Sequence, residues 1–148
     1  MTRPTRLDEL DRGVQLQRRK GDALAKRGDT DAARQAYRAG CALADEALVL
    51  LGTAGDPGDV AEWHGVRGGL LRRIGGADAL SDALESYRIG AEIEASEHLP
   101  STYNRANAIK LALVSGASTL AEQRGDLEAL REVLVRRLST DERAADDA

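Results

Sequence analysis

Residues 31–40 read DAARQAYRAG, and residues 82–90 read DALESYRIG. With Ala83 laid on Ala33, Tyr87 falls on Tyr37, Arg88 on Arg38 and Gly90 on Gly40. The pattern A-x-x-x-Y-R-x-G therefore occurs twice, 50 residues apart, in a chain of 148 residues. Self-similarity at a fixed spacing marks a repeated supersecondary unit, so it bears on architecture before any single motif does. The match extends backwards. Gly21, Leu24 and Gly28 precede Ala33 as Gly68, Leu71 and Gly75 precede Ala83. Each unit is then a helix carrying G-x-x-L, a glycine turn, and a second helix carrying A-x-x-x-Y-x-x-G.

The rest of the chain fills in around these units. Thr5 with Asp8 three residues on is a capping-box pattern, which predicts a first helix through Leu7, Leu10, Val14 and Leu24 to Arg27. Gly28-Asp29 ends it, and Thr30 is placed to cap the second helix. There Ala33, Tyr37, Cys41, Ala44, Leu48 and Leu51 recur at spacings of three and four, one apolar stripe. GTAGDPGD at residues 52–59 is a loop. A third helix over residues 60–74 carries Trp63, Leu70, Leu71 and Ile74, and also Gly65, Gly68 and Gly69. Three helical glycines cost about 2–3 kcal/mol against alanine, and close approach of a neighbouring helix is the expected compensation.

Gly75-Gly76 leads to a fourth helix over residues 78–98, and Pro100 marks the start of a fifth, STYNRANAIKLALV, which stops at Ser115-Gly116. A sixth is expected from Ser118, capped by Thr119 and Glu122, through Leu127, Leu130, Leu134 and Leu138, with Gly125-Asp126 as a kink. Residues 140–148 are polar and read as a frayed tail. No segment alternates β-branched with polar residues. The expectation is an all-α domain over residues 1–139, six helices in three antiparallel pairs (units 5–52, 59–98 and 100–139).

Composition agrees with helix-on-helix packing. Ala (25) and Leu (20) dominate, aromatics are 3% and Phe is missing, so the core must be built from small side chains. A net charge of −4 with dispersed cations offers no footprint for nucleic acid. No apolar run reaches the ~18 residues of a membrane span, and the N-terminal stretch lacks a signal-peptide core, which favours a cytoplasmic protein that does not engage membrane. Arg outnumbers Lys 18 to 3, the bias of a GC-rich, bacterial genome. Cys41 stands alone, so no internal disulfide forms.

Catalytic and cofactor motifs are not apparent. His64, His98 and Cys41 are isolated from one another, which argues against a metal site. The glycines of HGVRGGLLRRIGG lack the Lys-Ser/Thr of a phosphate loop and fit helix packing better. Arg72-Arg73 and Arg136-Arg137 read as solvated faces.

The double unit resembles the tetratricopeptide repeat. Gly21 and Gly68 match that family's first small position, Leu24 and Leu71 the large one after it. Ala33 and Ala83 match the second-helix alanine, Tyr37 and Tyr87 the aromatic, and Gly40 and Gly90 the last small residue. Gln17 and His64 stand where the family prefers Trp, no proline ends either second helix, and the period is 50 where the family's is about 34. Three extra residues separate Gly75 from Ala83. In the third pair, Tyr103, Asn107 and Ala108 are similar to a Y-x-x-x-N-A stretch in the TRAF-binding helical-repeat region of mitogen-activated kinase kinase kinases and its bacterial relatives.

This resemblance implies a TPR-like right-handed α-solenoid whose first helices line a concave groove. On the family's alignment Gln15, Arg18, Asp22 and Ala25 face it from the first helix, Glu62, Gly65, Gly69 and Arg72 from the third, and Asn104, Asn107 and Lys110 from the fifth. The implied function is non-catalytic and needs no cofactor: binding a protein or peptide partner, as an adaptor or regulatory subunit in bacterial signalling or defence. Asp22 stands where the family's chaperone-tail clamp has Asn, and it would repel a terminal carboxylate. Two alternatives stay open. One is homo-oligomerisation, or a structural role within a larger signalling protein. The other is a small-molecule sensor or enzyme with a pocket over Gly65, Gly68 and Gly69.

Overall fold

A computed structural model describes residues 5–146. Among these residues the chain is all-α, with no strand. The helices are α1 (Arg6–Lys26), α2 (Thr30–Leu51), α3 (Pro57–Ile74), α4 (Ala77–Ser96), α5 (Tyr103–Val114) and α6 (Arg124–Asp146). No helix among the described residues is long and apolar enough to cross a membrane. Residues 1–4 of the expected domain and residues 147–148 of the expected tail lie outside the described residues.

Local chemistry sets the helix ends. The capping box of α1 forms: Asp8 N–H donates to the Thr5 hydroxyl and the Asp8 carboxylate accepts from Thr5 N–H at 2.8 Å. Donation to that carboxylate from the Thr5 hydroxyl, and then from Thr5 N–H, holds the Asp8 carboxyl below the usual carboxylate range. The cap of α2 is Asp29 and not Thr30. Gly28, at φ +81°, ends α1 in a Schellman turn, with Asp29 N–H donating to Leu24 C=O. That turn leaves Asp29 at the entry to α2, where its carboxylate accepts from Ala32 N–H. Helix α3 begins three residues earlier than expected, because Asp56 caps it and Pro57 fits its first turn. The three extra residues of the second unit are helical: Ala83 is seven residues into α4, Ala33 only four into α2.

Tyr37 and Tyr87 hold the two hairpins together. A Cβ on Gly21 would collide with the Tyr37 ring, and one on Gly68 would lie 2.9 Å from Tyr87 Cε1. Each ring lies where a side chain of the preceding helix would otherwise stand, as the repeat implied. Both are buried, together with Leu10, Val14, Ala44, Ala47, Leu70 and Leu84. The hairpins join through α2 and α3. Leu70 packs on Gly40, Arg67 pairs with Asp45 at 2.7 Å, and Arg34 Nε donates to Ile74 C=O. Those three contacts run in opposite order along α2 and α3, so the two are antiparallel and α1 runs the same way as α3. Helix α5 then packs on α4 through Gly90, which faces the Asn104 amide.

The expected third pair differs. Helix α6 packs only lightly on the body, and none of its described residues is buried. Helix α5 starts at Tyr103 and not at Pro100. Residues 119–123 form a turn ahead of α6: Thr119 accepts from Glu122 N–H, but the Glu122 carboxylate goes to Ser118 Oγ, leaving half a capping box. The stretch expected to fray is helical through Asp146.

Of Gly65, Gly68 and Gly69 in the body of α3, two are met closely by neighbours and one is not. Gly65 meets Tyr103 and Asn104, Gly68 meets Tyr87, and nothing approaches the Cβ position of Gly69 closer than 3.6 Å. Gly21→Ala is expected to lower stability by about 1–3 kcal/mol through overpacking. Gly69→Ala should instead raise it by up to ~1 kcal/mol from helix propensity. Urea unfolding of the two variants measures both signs.

Candidate binding cleft

Because α1, α3 and α5 run the same way, their free faces share one side of the molecule. A cleft of about 690 Å³ follows them there. Gln15 and Arg18 line it from α1, Glu62, Gly65, Gly69 and Arg73 from α3, and Tyr103 from the first turn of α5. Val14 and Leu70 give it an apolar floor. Tyr103 is about half exposed and leans over Gly65, its ring edge-on to buried Tyr87 with centroids 6.1 Å apart. A residue larger than glycine at position 65 would push that ring away.

Charge is divided along the cleft. Asp56, Asp59 and Glu62 stand at the N-terminal end of α3, Arg73 near its C-terminal end. Arg18 adds a second guanidinium from α1, and among the described residues it has no carboxylate partner. Arg73 is engaged: Nε donates to Asp22 at 3.2 Å and Nη1 to Gly69 C=O at 3.1 Å. Asp22 also accepts from the Tyr37 hydroxyl at 2.8 Å. Burial, reinforced by that carboxylate, raises the Tyr37 hydroxyl above its ordinary pKa.

The residues expected to face a groove thus divide. Gln15, Arg18, Glu62, Gly65 and Gly69 line the cleft together. Asn104 also borders it but is spent inside the fold. Asp22 is tied to Arg73 and Tyr37 and does not line the cleft. Arg72 and Asn107 meet each other, at 3.4 Å, outside it, and Asn107 Nδ2 donates to Tyr103 C=O. Ala25 and Lys110 are exposed elsewhere.

Sequence reasoning missed Glu94, which organises the α5 side of the cleft. It is fully buried, yet its carboxylate accepts from Ser101 Oγ, Asn104 N–H, Asn104 Nδ2 and Arg105 N–H, at 3.0–3.3 Å. Helix α5 has no side-chain cap of its own at Thr102, so this carboxylate from α4 caps it and meets the positive end of its dipole. Asn104 Nδ2 also donates to Ala61 C=O at 2.8 Å, tying α5 to α3. Asn104 Oδ1 has no N–H or O–H donor and lies against Gly65, where a Cα–H contact is the available partner. A signal for Glu94 was present: Ala83, Tyr87, Gly90 and Glu94 share one helical stripe, which puts the carboxylate on the buried face.

Cys41, His64 and Tyr87 lie outside the cleft lining. Burial pushes the Cys41 thiol up to about 11 and, with Tyr103 alongside, the Tyr87 hydroxyl up to about 12. Burial and then Arg67 lower the His64 imidazole. Among the described residues no three His, Cys, Asp or Glu side chains cluster as a metal site would require. The chain matches no protein-family model, no curated protein and no solved structure.

Glu94→Ala would leave four donors without their acceptor and α5 without its cap. A loss of about 2–4 kcal/mol is expected. Hydrogen exchange should localise it, with faster exchange at the amides of Asn104 and Arg105 than in α1 and α2.

Proposed function

We propose that this protein is a non-catalytic, TPR-like binding module that holds an extended segment of a protein partner in the cleft along α1, α3 and α5. The observation that carries this reading is the composition of the cleft wall. Three helices of one sense contribute polar side chains over an apolar floor, and Arg18 and Glu62 have no partner among the described residues. Groups left uncommitted on a preformed surface are available to a ligand without breaking internal bonds. Tyr103 adds a half-exposed aromatic ring, the type of residue that anchors interfaces. The charge division favours one polarity: basic residues of the segment toward Asp56, Asp59 and Glu62, acidic ones toward Arg18.

Peptides selected from a random display library on the immobilised chain test this reading. Selected peptides are expected to move the amide resonances of Gln15, Glu62 and Gly69. The combined change Arg18→Ala, Glu62→Ala and Tyr103→Ala should weaken their binding at least tenfold, with helicity unchanged. Peptides that bind the triple variant as tightly as the parent chain would contradict the proposal.

A further inference from the structure

Helices α1 and α3 run the same way, and Asp22 meets Arg73 at 3.2 Å. One turn back from each of these residues stand Arg18 and Gly69, so the two share a level of the cleft, and both line it. Three polar atoms converge on the side of Gly69 where a Cβ would stand: Arg73 Nη1 at 3.6 Å from that position, the Tyr87 hydroxyl at 3.7 Å and the Tyr103 hydroxyl at 3.8 Å.

Tyr87 is fully buried, and among the described residues its hydroxyl has no hydrogen-bond partner, although the Tyr103 ring lies alongside. A buried hydroxyl without an acceptor is costly, and protein interiors seldom keep one. This one is aimed at the open side of Gly69, where an oxygen entering from the cleft would supply the acceptor. Arg73 uses one N–H on Asp22 and one on Gly69 C=O, and its guanidinium has further N–H groups to donate. Arg18 brings a second guanidinium. The Asp22 carboxylate offsets one of the two, which leaves a single positive charge at this level of the cleft. That matches a carboxylate, whereas a phosphate monoester carries about 1.5–2 negative charges. Glu62 stands seven residues back along α3, about 10 Å away, where its repulsion is screened.

We propose that the cradle over Gly69 is a carboxylate subsite, which seats the side chain of an aspartate or glutamate of the bound segment. Tyr87, Tyr103 and Arg73 donate to its oxygens, and Arg18 closes on it from α1. Because Tyr87 is buried, the half-exposed Tyr103 ring turns outward to admit the ligand. The proposal rests on the reading of the cleft as a peptide site and adds the residue type that the site selects.

Capped glutamate (N-acetyl-glutamate N-methylamide), titrated into the whole chain at constant ionic strength, tests the subsite without a partner protein. Saturable shifts of the Gly69 amide resonance are expected, with capped glutamine binding at least tenfold more weakly. Tyr87→Phe removes only the unpartnered hydroxyl, and Gly69→Ala places a methyl where the carboxylate oxygen would sit. Both variants should keep the fold and bind capped glutamate at least tenfold more weakly. No saturable binding of capped glutamate, equal binding of capped glutamine, tighter binding of capped phosphoserine, or full binding in either variant would each overturn the proposal. The cleft reading fails or stands separately. Library peptides that lose affinity in the triple variant but not in Tyr87→Phe or Gly69→Ala would uphold the cleft and overturn the subsite.

Discussion

A tyrosine ring seated on a glycine of the preceding helix is the contact on which the rest of the structure depends. Tyr37 on Gly21 and Tyr87 on Gly68 set the separation of α1 from α2 and of α3 from α4. With Trp63 and Tyr103 the only other aromatic side chains and a core dominated by alanine and leucine, each ring supplies much of the volume its hairpin must fill. Glycine is poor in a helix interior, and here its cost is offset by the burial it allows. Fixing those two separations also fixes which faces of α1 and α3 turn outward, and so where Gln15, Arg18 and Glu62 stand.

The last glycine of each repeat serves the joint to the next helix, and the two joints use different chemistry. Gly40 admits Leu70, an apolar contact of α2 with α3. Gly90 admits Asn104, whose amide links the Glu94 carboxylate to Ala61 C=O of α3. A buried carboxylate is costly unless its lone pairs are filled, and Glu94 meets that condition with four donors. Three of these donors come from the N-terminal end of α5, so the joint specifies where α5 starts as well as where it packs. Tyr103 sits over Gly65 for this reason, and the α5 wall of the cleft follows.

Much of this was legible in the residues. The repeated A-x-x-x-Y-x-x-G placed two hairpins and identified Ala33, Tyr37, Ala83 and Tyr87 as core, because close packing of two helices restricts residue type at every contact. The cleft residues of α1 and α3, Gln15, Arg18, Glu62, Gly65 and Gly69, were read from the resemblance to the tetratricopeptide repeat, whose alignment implies a groove along the first helices. What escaped was set by single polar contacts with no periodicity. Asp29, not Thr30, caps α2 because the glycine turn leaves Asp29 at the helix entry. Glu94 was passed over because a carboxylate in a charged chain reads as surface. Leu127, Leu134 and Leu138 marked a sixth helix, but the pattern records that a face is apolar and not what covers it. Asp22, Arg72 and Asn107 were expected in the groove, but each found a partner within the chain.

The central claim is that the two repeats are the same hairpin, closed by a ring on a glycine. Nuclear Overhauser contacts between the α-protons of Gly21 and the ring protons of Tyr37, and between those of Gly68 and Tyr87, test it most directly. Both contacts should be strong, with the glycine α-protons displaced by ring currents. Absence of either contact in the folded chain would contradict the account.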